Sequence, residues 1–424
     1  MTSLAVLMTS LALADVVDFA KYRLSVDPPA EDTACVVLQA ELPRVPDHLA
    51  RAGSSELIET GEAGKRVPFQ FVQGDSGTRV VFTPGWIKKG TAASWNLTIH
   101  CAVTESTARI AVALPGRFPD PPQQGFPTPV IEVRVGADLF TRLLAEDGLK
   151  KPVLYPIQLQ GLHMTRRYPQ EKGVNEDEDH IHHRGLWFDH GDVNGADFWA
   201  EQPGEKKGTI YQKEVISMSS GDASGTISTW NMWVGPDSKY LLDESRILTF
   251  YDFAERGRAI DVTCVLVARI DPVTFGDTKE GSFGIRLAES MKEKRGGRIE
   301  NSRGKVSMKE TWGKPAEWID YTGEVDGKTV GVAIFDHPQS FRHPTTWHVR
   351  DYGLFAANPF GLKDFTGDKT KDGSHKLEKG QSITFKYRVL LHPGTTAESN
   401  VAAAYRAFAS PPKVKVERVE RAKE

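Results

Sequence analysis

Apolar and polar residues alternate with a period of two through most of the chain. Ile260, Val262, Cys264, Leu266, Ala268 and Ile270 fall on one side of an extended stretch, with Asp261, Thr263 and Arg269 on the other. Ile383, Phe385, Tyr387, Val389 and Leu391 alternate in the same way with Thr384, Lys386 and Arg388. Such a pattern predicts strands with one face on a core and the other towards solvent or a second layer. Similar runs occur near 33–42, 66–73, 78–83, 94–103, 210–217, 225–234, 245–252 and 329–335, separated by turn chemistry such as Gly74-Asp75-Ser76-Gly77 and Asp326-Gly327. One segment alone has helical spacing: Thr395 and Glu398 form a capping-box pattern, Val401, Ala404, Tyr405 and Phe408 follow, and Pro411 stops it. The expected class is all-β with a short C-terminal helix.

Six prolines between Pro115 and Pro129 cannot sit in a central strand and mark a linker over 115–129. Residues 15–114 then suit an immunoglobulin-like (Ig-like) β-sandwich. Residues 130–410 are too long for a simple sandwich and suit a two-sheet supersandwich or a large jelly roll. Beyond Pro411-Pro412, residues 411–424 read as a charged, solvated tail. The first fourteen residues are apolar and small, and Ala12-Leu13-Ala14 fits the cleavage pattern of a signal peptide, although no Lys or Arg precedes Lys21. The expectation is therefore a secreted or periplasmic protein, with a buried N-terminal element as the alternative.

The 424 residues carry a formal net charge of −3, which argues against electrostatic nucleic-acid binding. Three cysteines, with no C-x-x-C pair, make neither a disulfide framework nor a zinc ribbon. No apolar run reaches the ~20 residues of a transmembrane segment. Nucleotide-binding, nucleophile-elbow and zincin motifs are missing.

The chemistry concentrates in three segments. His180, His182, His183 and His190 lie within eleven residues, together with Arg184, Asp189, Asp192 and Asn194. If 180–182 is extended, His180 and His182 point to the same side. So many polar groups form either an organised site or a purely structural network. Next, Asp277, Lys279, Glu280, Arg286 and Glu289 punctuate a glycine-rich loop beside a strand, as paired charges or as a source of acid–base carboxylates. The third segment holds His337, His343 and His348. His343 and His348 are the candidate distant partners of the first cluster, and His337 reads as a turn residue. Trp187 and Trp199 flank the first cluster, and aromatic faces beside such groups suit sugar rings, although core packing is the commoner role of a tryptophan.

The runs HHRGLWFDHGDVNGADFW, VTFGDTKEGSFGIRLAES, WIDYTG with DGKTVGVAIFDHP, and RHPTTWHVRDYGLFAANPFG resemble the PmoA-like family of planctomycete-type bacterial proteins, over about 130–410. The family carries a methane-oxygenase label. Its usual Asp-His-Pro-His-His-Arg reads Asp179-His180-Ile181-His182-His183-Arg184 here, which keeps every polar group.

The first functional expectation is a secreted carbohydrate-active enzyme with a galactose-mutarotase-like supersandwich, an analogy of architecture. His182 or His183 would be the general acid, and Asp277 or Glu280 the base. His180, Arg184, Trp187, Asp189, His190, Asp192, Asn194, Trp199, Lys279, Arg286, His343 and His348 would bind substrate, and hydrolase, lyase and epimerase chemistry all stay open. No cofactor is expected, although a divalent metal fits the alternatives. One alternative is a metal oxygenase with His190, Asp192 and His343 as a facial site. The other is a non-catalytic glycan-binding envelope protein. Oligomeric state is left open.

Overall fold

The structure, a computed structural model, describes residues 18–43, 45, 55–60, 64–74, 77–100, 108–114, 130–146 and 148–419. It is all-β, with antiparallel sheets and, among the described residues, three short α-helices. Two large sheets make the body. The nine-stranded sheet runs, in spatial order, Trp347–Val349, Leu354–Ala357, Gly281–Arg286, Leu186–His190, Val153–Leu159, Asp138–Leu144, Ile131–Val135 and Ile110–Ala113, with Leu162–His163 paired to Val153–Leu159. The eight-stranded sheet runs Thr209–Ser219, Gly225–Val234, Tyr240–Asp252, Arg258–Val267, Ser382–Pro393, Lys328–Asp336, Trp318–Val325 and Arg298–Asn301.

The inner faces of these sheets meet as a supersandwich. Phe188 packs on Trp233 and Phe385, Phe140 on Phe250, and Phe283 on Tyr387. Alternation fixes which face each residue takes. Ile260, Val262, Cys264 and Leu266 are buried, and so are Ile383, Phe385, Tyr387, Val389 and Leu391. Ile270, assigned to the same face by its spacing, is 55% exposed because its strand ends at Val267.

The N-terminal sandwich has a four-stranded sheet (Lys415–Val419, Asp18–Val26, Ala93–His100, Glu56–Glu59) and a three-stranded sheet (Thr33–Glu41, Gly77–Ile87, Phe69–Gly74). Three expectations about its borders change. First, residues 415–419 do not make a free tail: they pair antiparallel with Asp18–Val26, in register from Lys21↔Val419 to Ser25↔Lys415. Second, Ile110–Ala113 pairs with Ile131–Val135 and so belongs to the large domain, which puts the boundary before residue 110. Third, the modules share a core. The helix Val401–Ala409 buries Val401, Ala403 and Ala404 against Ala34 and Cys35 on one side and Trp318, Phe335 and Leu390 on the other. The Thr395–Glu398 hydrogen bonds form, but they close a turn, and Asn400 is the helix cap, accepting from the Ala403 amide. The signal-peptide segment 1–14 and the linker 115–129 lie outside the described residues. Among the described residues no helix is long and apolar enough to cross a membrane.

Candidate functional site

Cross-strand pairing lays a row of residues across the outer face of the nine-stranded sheet. Val153 pairs with Trp187, Trp187 with Gly284, Gly284 with Ala356, and Ala356 with His348. Residues directly opposite in a ladder share a face. Small residues at two places make room for large rings: a Cβ on Gly284 would lie 2.7 Å from the Trp187 indole. Trp199 packs on Trp187 at 5.5 Å and 67°, and lies parallel to His348 at 6.4 Å.

A column of near-parallel rings stands on this floor. His183 stacks on Trp187 at 5.4 Å, His180 on His183 at 4.7 Å, and Tyr352 on His180 at 5.3 Å, with interplanar angles of 12°, 3° and 12°. A turn brings the two histidines together. His180 has φ 44°, and the His183 amide donates to its carbonyl at 2.9 Å. The expected extended 180–182 segment is therefore absent, and the stacked pair is His180 with His183. Trp187 and His183 are each 1% exposed, whereas the His180 side chain is 40% exposed.

Asp179 ties the column to two buried arginines. Its Oδ2 lies 2.9 Å from His180 Nδ1, while Oδ1 accepts from Arg286 at 2.8 Å and from Arg166. Burial raises its carboxyl pKa, but the His180 bond, Arg286 and Arg166 outweigh that and hold it well below the usual range. Arg166 also donates to the carbonyls of Tyr168, Asp177 and His180, and burial lowers it to about 10. Arg286 donates to His183 Nδ1 at 3.0 Å. A guanidinium only donates, so Nδ1 accepts and the His183 proton sits on Nε2. That Nε2, Trp187 Nε1 and His348 Nδ1 are buried without a protein partner.

Beneath the rings lies a charged floor. Lys151 Nζ is 2.7 Å from Asp189 Oδ2, 2.8 Å from the Trp199 carbonyl and 3.7 Å from Glu201 Oε1; Glu201 Oε2 accepts from Arg184 at 2.7 Å. Burial pushes Asp189 up to about 7 against the pull of Lys151. Burial, then the Lys151 charge, pushes His182 down to about 3; its Nδ1 has only a long 3.5 Å contact to Gln202. His348 is lowered to about 3 and His183 well below its ordinary value, both chiefly by burial.

The loop after Phe275 divides its residues between two tasks. Lys279 and Glu280 pair at 3.0 Å, half-buried, and both bear on the site: Glu280 on the Tyr352 phenol of the column, Lys279 on His348 of the row beneath it. Asp277 instead accepts from the Lys363 and Gly373 amides, at 3.1 and 2.6 Å, and so anchors the loop to the helix Leu362–Thr366. A carboxylate spent on backbone donors makes a poor general base, which corrects the expectation for Asp277.

Other candidates also prove structural. His190 is 1% exposed, contacts the Gly276 carbonyl at 2.9 Å through Nε2, and packs on Phe275 and Phe360. Burial lowers it to about 4. Asp192 accepts from the Gly195 amide, and Asn194, at φ 53°, pins the Thr274 amide and the Pro272 carbonyl. His343 pairs with Asp336 at 2.8 Å. The facial set His190, Asp192 and His343 is therefore not assembled, and no cluster of three such ligands able to hold a metal occurs among the described residues. Composition missed Arg166, Lys151 and Glu201, which lie outside the histidine-rich run. Asp179 and Tyr352 stood within quoted segments without being singled out; the acid directly before His180 was the available signal.

No curated protein matches the sequence. Among solved structures, the chain is similar to an alpha-mannosidase from Enterococcus faecalis V583, with 11% identity and a TM-score of 0.39, over 96% of this chain and 48% of that one. The chain thus spans about half the length of that protein. A family model matches residues 130–406, which include every residue of the ring column, and by that match the chain belongs to DUF6807, a family of unknown function.

Proposed function

We propose that this protein is a carbohydrate-active enzyme in which His180 is the proton-transferring group. One observation carries the reading: His180, stacked between His183 and Tyr352, is the exposed imidazole of the ring column, with Nδ1 fixed by Asp179 and Nε2 left for a substrate. A carboxylate that is itself held by two arginines orients the imidazole, the arrangement general acid–base chemistry needs. Glu280, at the same surface, is the second acid–base group, and the half-buried Tyr352 and Lys279 beside it are the polar groups that would receive the sugar's hydroxyls. His182 and His183 support the column; their burial, which keeps them neutral, argues against the acid role expected for them.

Two buried ring donors without protein partners, His183 Nε2 and Trp187 Nε1, favour a polar partner within the column, since each orphaned donor costs roughly 1–3 kcal/mol. Aromatic faces flanked by hydrogen-bonding groups favour a sugar among polar ligands. Export across the inner membrane, suggested by Ala12-Leu13-Ala14, would place the protein where glycans are met. The test is turnover of a panel of polysaccharides and uronate-containing glycans, read by product chromatography, with wild type and His180→Gln. The reading predicts products with wild type and their loss in the variant at unchanged melting temperature. Equal products from both would refute it.

A further inference from the structure

The outer face of the eight-stranded sheet is the opposite side of the molecule from the ring column. Trp230, Met232, Asp243 and Ser245 alternate with the inward Trp233, Glu244 and Arg246, so the four point away from the core. They line an open cavity of about 620 Å³ with Tyr240, Glu214, Arg269, Ile216 and Ile270. One buried carboxylate organises it. Asp243, 5% exposed, accepts from Trp230 Nε1 at 2.8 Å and from Arg269, and burial, together with the Asp243 charge, raises the Tyr240 phenol. The Trp230 indole is thus held in place before any ligand arrives. Burying it against a ligand costs little side-chain entropy.

We propose that this cavity is a second, non-catalytic glycan-binding site, which takes a neutral sugar chain across the Trp230 and Tyr240 rings. Rigid aromatic faces accept the C–H face of a pyranose, and Ser245, Glu214 and the free guanidinium edge of Arg269 lie where hydroxyls would need partners. Neutral chains are favoured over uronates. The Arg269 charge is already matched by Asp243, and Glu214 adds an uncompensated negative charge to the rim. A second copy of the chain is the competing occupant of an apolar sheet face, since Ile216 and Ile270 are each 55% exposed. Strand-to-strand pairing at this edge is opposed by the Thr209–Ser219 strand itself. Its register shifts twice, between Gln212 and Glu214 and between Val215 and Ser217, and Lys213 and Glu214 are exposed there.

The inference goes beyond the catalytic reading and does not depend on it. The test therefore reads binding alone: electrophoresis of the full chain in native gels cast with galactomannan, xyloglucan, mixed-linkage β-glucan or, as the anionic control, polygalacturonate. Retardation in at least one neutral gel is expected, with none in polygalacturonate. Trp230→Ala and Tyr240→Ala should each weaken it at least tenfold. Ile216→Asp, at an exposed rim position that leaves the Asp243 clamp intact, should weaken it too, which guards against misfolding of the ring variants. Absence of retardation in every neutral gel would overturn the proposal, as would retardation that survives all three substitutions. Sedimentation that shows a dimer dissolved by Ile216→Asp would overturn it in favour of a self-contact.

Discussion

His180 and His190 stand ten residues apart in one polar run, yet the fold uses them in opposite ways. His190 lies in the Leu186–His190 strand on the inward side, with a backbone carbonyl on one nitrogen and phenyl rings around it. His180 lies in the preceding turn, with one nitrogen fixed by Asp179 and the other free at the surface. A buried polar group must be satisfied, whereas an exposed one can be aimed. The partner set and the burial, rather than the residue type, separate a structural histidine from a chemical one.

The largest effect expected is collective and depends on pH. His182, His183, His190 and His348 are buried neutral, with folded values near 3 to 4 where one is resolved, against about 6.5 unfolded. Between these limits the unfolded chain binds more protons, so this stability is complete above pH 6.5 and is lost as pH falls. Asp189, raised to about 7, opposes with one proton in the same window. The net of about three protons gives a slope on the order of 4 kcal/mol per pH unit near pH 5. Urea midpoints from pH 7 to pH 4.5 measure it; a flat profile would mean that these histidines titrate normally in the fold.

The sharpest test of the comparison is the pair of substitutions at its two members. His180→Gln should lower turnover by roughly 10²–10⁴-fold while thermal unfolding is unchanged. His190→Leu should do the reverse: it removes a buried hydrogen bond, leaves the Gly276 carbonyl unpaired, and costs about 1–3 kcal/mol in urea unfolding, with the remaining folded protein active. At least as costly in stability as His190→Leu is Arg286→Ala. It strips a buried ion partner from Asp179 and a donor from His183, at about 3 kcal/mol, and it should cost activity as well because Asp179 loses one of its anchors. The smallest effect is expected at Asn194→Ala, about 1 kcal/mol, since two local bonds at a positive-φ turn are lost and nothing at the ring column changes.

Much of the fold was legible because strands of the eight-stranded sheet and of the N-terminal sandwich keep period-two alternation, from which those near 33–42, 225–234, 260–267 and 383–391 follow directly. The strands Leu186–His190 and Gly281–Arg286 of the nine-stranded sheet are buried on both faces and carry no such signal. The strand at 415–419 escaped notice because alternating Lys, Arg and Glu with valine also describes a solvated segment. Only pairing with Asp18–Val26 distinguishes the two. The histidine cluster was visible as a concentration of chemistry, but its division was not. That depends on registers such as Trp187↔Gly284 and on Arg166 and Arg286, which approach Asp179 from 13 and 107 positions away in the sequence. Local spacing carries no information about such partners, and for that reason Asp277 and His183 were expected to act chemically while Asp179 went unremarked.

The pairing of Asp18–Val26 with Lys415–Val419 sets an order of events during synthesis. The ion pair at that seam joins Asp27 and Lys415, 388 positions apart. An emerging chain exposes the first strand long before its neighbour on that side has been translated, so the N-terminal sandwich is the first module made and the last one closed. Until the ribosome has delivered the final strand, one edge of that sheet stays open to other partners, including a holding chaperone.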